Sequence, residues 1–311
     1  MAAVVVAYNR AELLREALDA LAAQTRALDE LIVIDNASTD DSADIAARHP
    51  AGVRLVRLPR NTGGAGGFAA GIATALADAS VDFVWLMDDD TIPTPDALAE
   101  LLRVHAELGH SPPLLGSRVV WTTGEDHPMN KPRRRPGYGP SPVADALGVL
   151  PVRSSSFVSM LVDARAARMT RLPVADYFIW NDDFEYSLRL LKTRPGYFVS
   201  SSVVVHKTRV LGSTDADPGE RFYYEVRNKL WLLRSSTGLT ASERLLYTAA
   251  SLRRWVRTLV RSRDRRTLWR VGRRGWRDGF RTSPRPNVES LAGLGEVTSL
   301  VERHEQSVAA S

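Results

Sequence analysis

Hydrophobic and polar positions along the chain follow two periods, and the switches between them mark its elements. Val4–Tyr8 is an apolar run rich in β-branched residues, which reads as a buried strand. Asn9, with Glu12 three residues on, predicts a capping box, and Leu13, Leu14, Ala17, Leu18 and Leu21 give the following helix one apolar face. Leu31–Ile34 is a second strand ending in Asp35-Asn36, a short helix is expected over 40–48, and Val53–Leu58 reads as a third strand. Asn61–Gly67 is a glycine-rich turn leading into a helix from Phe68 to about Asp78, and Phe83–Met87 is a strand that runs straight into Asp88-Asp89-Asp90. Thr94-Pro95-Asp96 opens a helix that ends near Gly109. Residues 122–150, rich in Pro, Gly and Arg, read as a mobile loop. Phe157–Val162 and Tyr197–Val205 read as strands, the second ending at His206, and between them Phe178–Asp183 leads into a short helix through Leu191. Thr240 and Glu243 form a second capping box, opening a helix that continues past Arg257, and no internal repeat is seen.

Strand–helix alternation of this kind implies an α/β fold, a mostly parallel sheet with helices on both faces. Ligands of such sheets bind beyond the carboxyl ends of the strands. Asp35, the glycine-rich turn and Asp88–Asp90 all fall at strand carboxyl ends, so they are expected on one edge. The division expected is an α/β domain over 1–212 and a helical, Arg/Trp-rich region over 213–311.

Composition narrows the chemistry. The 311 residues contain no cysteine, which excludes disulfides, thiolate nucleophiles and cysteine-based zinc sites. No apolar run reaches the ~18 residues of a membrane span, and Met1–Val4 lacks a basic leader and already reads as strand. The net charge of +5 is unevenly placed: residues 241–282 hold 13 Arg against 3 acidic residues. Arg253, Arg254, Trp255, Arg265, Arg266, Trp269, Arg273, Arg274 and Trp276, with an apolar stripe from Leu245 to Val260, resemble an interfacial helix that lies on an anionic membrane surface. No nucleic-acid motif accompanies the stretch, so no nucleic-acid partner is expected.

Three adjacent carboxylates at a strand end repel one another unless a cation sits among them. Alternate residues of an extended chain point the same way, so Asp88 and Asp90 can share one ion, and hard oxygen ligands suit Mg²⁺ or Mn²⁺. Asn61–Gly67 can present backbone amides to phosphate or simply allow close helix packing. One of Asp182 and Asp183 can serve as a general base, or both can belong to an acidic helix start. Trp180 is a candidate for stacking on a sugar face, and His206 a candidate third metal ligand.

Val4–Arg10, Val33–Asp40, Asn61–Phe68, Trp85–Asp90 and Trp180–Arg189 together resemble the inverting GT-A glycosyltransferases of family 2, over residues 3 to about 210. Within that family the chain is most similar to the initiating galactofuranosyltransferases of actinobacterial cell-wall galactan. The resemblance implies a GT-A fold with a C-terminal helical extension. It also implies a UDP-galactofuranose donor and a polyprenyl-diphosphate-linked glycan acceptor. By residue, it implies Asp88, Asp90 and His206 as metal ligands, with Asp89 near the ribose or donor sugar, and Asp183 as catalytic base. Asp35 would read the uracil ring, Ala7, Tyr8 and Arg10 would line the base pocket, and Asn61, Gly63, Gly64, Trp180 and Asp182 would complete the nucleotide-sugar site. Asn181 departs from the pattern, which carries an aromatic there. A cytoplasmic enzyme held peripherally at the inner face of the plasma membrane is expected, and a homo-oligomer is left open. The alternatives are a rhamnosyltransferase using dTDP-rhamnose and a non-catalytic sugar-nucleotide or lipid-binding protein.

Overall fold

The computed structural model describes residues 1–135, 141–208, 211 and 217–310. In chain order its elements are β1 Ala2–Ala7, α1 Ala11–Ala22, β2 Glu30–Asp35, α2 Ser42–Arg48, β3 Arg54–Arg57, α3 Gly63–Leu76, β4 Phe83–Asp88, β5 Thr91–Pro93, α4 Ala97–Glu107 and β6 Leu114–Val120. There follow β7 Arg133–Arg134, α5 Pro142–Ala146, β8 Leu150–Ser154, β9 Met160–Asp163, α6 Ala164–Arg168, α7 Asp182–Leu190 and β10 Gly196–His206. The C-terminal part is helical: α8 Phe222–Ser235, α9 Ala241–Arg261, α10 Arg265–Arg281, α11 Asn287–Ser290 and α12 Glu296–Ala310.

One sheet runs in the order β3-β2-β1-β4-β9-β6-β10-β8-β7, with β5 hydrogen-bonded to β10. The first four strands are parallel, as alternation with helices requires. Beyond β4 the sheet is mixed: β9 enters antiparallel between β4 and β6, β10 is parallel to β6, and β8 and β7 close the edge antiparallel. Successive residues of a strand face opposite sides. Val4, Ile34 and Leu86 therefore pack with Phe68 and Ile72 of α3 on one face, while Val5, Val33 and Met87 pack with Leu14 and Leu18 of α1 and Leu98 of α4 on the other.

The C-terminal helices divide between two places. Val297, Leu300 and Val301 of α12 enter the core beside α3. Phe222, Val226 and Leu230 of α8 build a separate cluster with Trp255, Leu268 and Val271 of α9 and α10. The expected division at 212/213 lies outside the described residues. A buried ion pair ties α9 to the sheet: Arg153 of β8, 3% exposed, donates from Nε to Glu243 at 2.5 Å and from Nη1 to the Leu188 carbonyl at 3.0 Å. Against the burial that would raise it, hydrogen bonds from Arg153 and the Thr240 N–H hold the Glu243 carboxyl down at about 2. The same Glu243 completes the expected capping box with Thr240.

Three local expectations are corrected. Asn9 does not cap α1: it sits at φ 53°, the N-cap is Arg10, and no side-chain cap bond forms. The exposed N–H groups are met instead from the loop after β2, Asn9 by Ser38 at 3.1 Å and Ala11 by Asp40 at 3.0 Å, so tertiary partners displace the local box. The glycine-rich segment is helix rather than turn, because α3 starts at Gly63. Added Cβ atoms at Gly67 and Gly71 would lie 2.5 Å from Val6 and 2.3 Å from Val4, so these glycines let α3 lie close on β1. Finally, within 122–150 the described residues carry the 3-10 turn Pro128–Asn130, β7, α5 and the start of β8, while 136–140 lie outside the description.

Candidate active site

The carboxyl ends of β1, β2 and β4 meet at one edge, as expected. β1 pairs with β2 on one side, register Ala7 to Asp35, and with β4 on the other, register Val6 to Asp88. The acidic run leaves β4 and turns into β5, which pairs antiparallel with β10, and the register His206 to Thr91 sets the histidine against the run. Ligand atoms of Asp88, Asp90 and His206 all lie within 4.8 Å of one another. Four observations surround this cluster. The Tyr8 N–H donates to Asp89 Oδ2 at 2.9 Å. Arg10 donates to Asp89 at 3.3 Å and pairs with Asp90, which places it on the acidic run. Burial pushes Asp88 up to about 6, helped by Asp90, and pushes Asp89 up to about 7. His206 Nδ1 donates to Asn130 Oδ1 at 3.0 Å, which leaves Nε2 as the ring nitrogen turned to the acidic run.

These atoms fit a divalent cation. Asp90 Oδ1 is buried with no hydrogen-bond partner and faces His206 Nε2 at 3.2 Å. A buried carboxylate oxygen and an imidazole nitrogen at that distance can both ligate one shared cation. The oxygen-rich donor set with one imidazole suits Mn²⁺ or Mg²⁺.

The second acidic pair is delivered by an unusual stretch of backbone. Phe178, Trp180 and Asn181 have φ of 65°, 66° and 69°. Phe178, with ψ −61°, is the centre of a γ-turn of the rare, strained hand, closed by Ile179 N–H to the Tyr177 carbonyl at 2.8 Å. Non-glycine residues in such conformations cost of order 1–3 kcal/mol each and persist only where the surroundings hold them. Here α8 holds them. Asn228, fully buried, donates to the carbonyls of Tyr177 at 2.9 Å, Ile179 at 2.8 Å and Trp180 at 3.0 Å. Arg227 adds a bond to the Asp176 carbonyl at 2.7 Å, and Glu225 receives the Asn181 amide at 3.2 Å. From the other side Ala65 N–H donates to the Phe178 carbonyl at 3.1 Å, and a Cβ on Gly63 would stand 2.1 Å from that oxygen. Gly63 also has φ 72°, so glycine is required twice over.

α7 then starts at Asp182. Asp182 is buried and its carboxyl is pushed well up, first by burial and then by Asp183. Asp183 is half-buried, and burial raises it too, but the Phe184 N–H at 2.6 Å, the Ser156 hydroxyl and the charges of Arg133 and Lys229 oppose the rise. Ser156 also receives the Asn130 amide at 3.2 Å, so a polar chain runs from His206 through Asn130 and Ser156 to Asp183.

The other expected residues are placed as follows. Asp35 is buried and accepts from Ser38 N–H at 3.2 Å, Ala7 is buried, and Tyr8 is 44% exposed at the end of β1. Asn61 accepts from Gly63 N–H at 2.7 Å, and Gly64 has open space where a Cβ would be. Trp180 is half-buried beside the acidic pair. Asn130, Ser156, Asn228 and Lys229 were not read from the sequence. Ser156 ends a run of three serines, Asn228 and Lys229 follow Arg227, and Asn130 sits in a stretch of loop composition, so nothing in the spacing sets any of them apart.

Asn228→Asp keeps the shape and replaces the donors by acceptors facing carbonyls. Turnover is expected to fall on the order of 10²-fold through misplacement of the acidic pair. The check is kcat beside the melting temperature: an unchanged kcat refutes the clamp.

A profile of glycosyl transferase family 2 matches residues 2–163. Galactofuranosyltransferase GlfT1 of Mycobacterium tuberculosis (strain H37Rv) is 33% identical over 301 residues, which cover 89% of this chain and 96% of that protein. GlfT1 of Mycolicibacterium smegmatis is 41% identical over 100 residues, 32% of this chain and 33% of that protein. Among solved structures, S. aureus TarS 1-349 in complex with UDP is similar, with a TM-score of 0.61 and 15% identity over 99% of this chain and 88% of that one. Of a longer TarS chain the protein spans 53%. The mannosyltransferase PcManGT from Pyrobaculum calidifontis, in complex with GDP-Man and Mn2+, has a TM-score of 0.56 and 17% identity over 99% of this chain and 82% of that one. The two structures speak to the fold, and they share the α/β architecture described above.

Proposed function

The chain belongs to glycosyl transferase family 2, and from that premise we propose that it is an inverting, metal-dependent transferase. It moves galactofuranose from UDP-galactofuranose to a polyprenyl-diphosphate-linked glycan. The observation that carries the reading is the convergence on one sheet edge of a cation-ready cluster, Asp88, Asp90 and His206, with a second, separately held carboxylate, Asp183. The bound Mn²⁺ or Mg²⁺ would stabilise the charge that develops on UDP as it leaves. Asp88, Asp90 and His206 would hold that ion, and Asn130, bonded to His206 Nδ1, fixes the orientation of the ring. The acceptor hydroxyl attacks C1 from the side opposite UDP, the C1–O bond to the diphosphate breaks, and the hydroxyl proton passes to Asp183. One carboxylate at the attack face is enough for such an inversion. Asp183 suits the task better than Asp182, because neighbouring cations and two hydrogen bonds favour its ionised form while Asp182 is buried against it. Asp35, Ala7 and Tyr8 would border the uridine side, Asn61, Gly63 and Gly64 the entry to α3, and Trp180 would stack on a sugar. Arg10 balances Asp89 and Asp90 at the diphosphate end.

Incubation with UDP-galactofuranose, dTDP-rhamnose and other sugar nucleotides, with a lipid-linked glycan as acceptor, tests this. A product heavier by one hexose from UDP-galactofuranose alone is expected. Transfer from dTDP-rhamnose alone overturns the donor, and no product from any donor returns a binding protein.

No helix among the described residues is long and apolar enough to cross a membrane. We propose that α9 and α10 bring the enzyme to the inner face of the plasma membrane, where such an acceptor lies. Leu245, Leu246, Leu252, Val256 and Val260 of α9 and Trp269, Trp276 and Phe280 of α10 are exposed, flanked by exposed arginines. Each basic residue near an anionic bilayer contributes about 1 kcal/mol, and salt screens it. Co-sedimentation with phosphatidylglycerol vesicles is therefore expected to be strong at low salt and weak at high salt, and to fall when Arg265, Arg266, Arg273 and Arg274 become Gln. No binding at low salt makes this face an oligomer contact or a plain solvated surface.

A further inference from the structure

Between the acidic pair and the C-terminal helices lies a cationic cluster whose only part in the reaction above is to favour ionised Asp183. Lys229 of α8 is only 4% exposed, and its Nζ lies 4.6 Å from the centre of the Phe184 ring. Arg133 of β7 lies over the same ring at 4.3 Å and over Tyr247 of α9 at 5.7 Å. Arg254 of α9 adds positive charge at Lys229. Phe184 is the residue after Asp183, so the cations border the face at which the acceptor must approach.

Two nearby carboxylates, Glu225 and Asp183, act on Lys229 through space, but both make their hydrogen bonds elsewhere. Glu225 is committed to the Asn181 amide at 3.2 Å and the Trp255 indole N–H at 3.3 Å. Asp183 is committed to the Phe184 N–H and Ser156. Among the described residues, no hydrogen bond or salt bridge is made by Lys229 Nζ, which rests on the Phe184 ring. A buried ammonium without a directly paired counter-charge is costly: burial pushes this one down to about 7, against the pull of Glu225 and Asp183, with Arg133 and Arg254 adding to the fall. An anion seated between Lys229 and Arg133 gives both a direct ionic partner.

We propose that Lys229 and Arg133, packed on Phe184, form a phosphate-binding subsite beside Asp183 that takes the diphosphate of the acceptor. The identity of that ligand rests on the lipid-linked acceptor proposed above; the phosphate chemistry of the subsite does not. Lys229 and Arg133 thereby orient the glycan, because anchoring the diphosphate end fixes which hydroxyl reaches Asp183.

The test titrates inorganic pyrophosphate into the full chain, saturated with UDP and without added divalent metal. The wild type and the four-arginine α10 variant are expected to bind alike. Lys229→Met, which keeps the stem and removes the charge, and Arg133→Gln are each expected to bind at least tenfold more weakly, and Lys229→Arg to retain binding. Lys229→Met should melt no lower than the wild type, since it removes a buried charge that makes no salt bridge; a clear loss of melting temperature with unchanged pyrophosphate affinity makes Lys229 structural and overturns the proposal. So does a wild type that ignores pyrophosphate. A kinetic arm compares the same glycan on a diphosphate and on an uncharged alkyl chain. The wild-type preference in kcat/KM for the diphosphate should shrink at least tenfold in Lys229→Met. If no glycan is ever a substrate, the proposed acceptor fails while the pyrophosphate titration still decides the subsite. Finally, Lys229→Met should bind phosphatidylglycerol vesicles like the wild type; a parallel loss there assigns the site to lipid headgroups and overturns the acceptor assignment.

Discussion

Asp183→Asn is expected to lower turnover on the order of 10²–10⁴-fold while UDP binding persists. The amide matches the carboxylate in shape and still accepts the Phe184 N–H, so the start of α7 is preserved. What is lost is the ability to take the acceptor proton. The companion variant Asp182→Asn should be mild, because Asp182 is buried and already pushed toward its neutral form, by burial first and by Asp183 second. Removing its charge also relieves that repulsion. Steady-state kinetics with calorimetric UDP binding separates the two. A dead Asp182→Asn beside an active Asp183→Asn reverses the assignment within the pair.

Excess chelator is expected to abolish transfer, and Mn²⁺ or Mg²⁺ to restore it. Asp88→Ala and Asp90→Ala should each remove activity without unfolding the protein, since each deletes a carboxylate from a mutually repelling set. A second readout does not depend on turnover. Mn²⁺ should raise the melting temperature of the wild type, because an ion bound only by the folded state stabilises it, and should leave the Asp90→Ala variant unmoved. Asp90 provides the sharpest case, because its Oδ1 is buried without a hydrogen-bond donor and faces His206 Nε2 at 3.2 Å. Full activity in excess chelator, with no metal effect on melting, overturns the metal reading.

The α/β alternation, the edge that gathers Asp35 and Asp88–Asp90, and the second capping box at Thr240 were legible along the chain. These features depend on local periodicity and on where a strand ends, and both are properties of consecutive residues. Misreadings came where a distant partner outweighed the local signal. Asn9 and Glu12 spell a capping box, yet Ser38 and Asp40 take the N–H groups of Asn9 and Ala11, so the helix starts one residue later. The glycines of 63–71 look like a loop until β1 and Phe178 lie against them, when the missing side chains become the condition for a helix to fit. Residues 122–150 have loop composition, yet Asn130 sits there on His206 and Ser156.

By itself, then, the sequence determined the order of elements from β1 through β4 to α4, the acidic run at the end of β4 and the arginine-rich helical stretch, because each is written in the spacing of neighbouring residues. Tertiary structure alone decided which groups meet. His206 reaches Asp90 because β10 pairs with β5, the strained backbone before Asp182 stands because Asn228 of α8 binds three of its carbonyls, and Lys229 is buried beside Phe184 without a direct salt bridge. Such meetings join residues tens to more than a hundred positions apart. Their energy comes from burial and hydrogen bonding that exist only once the sheet and helices have closed around them.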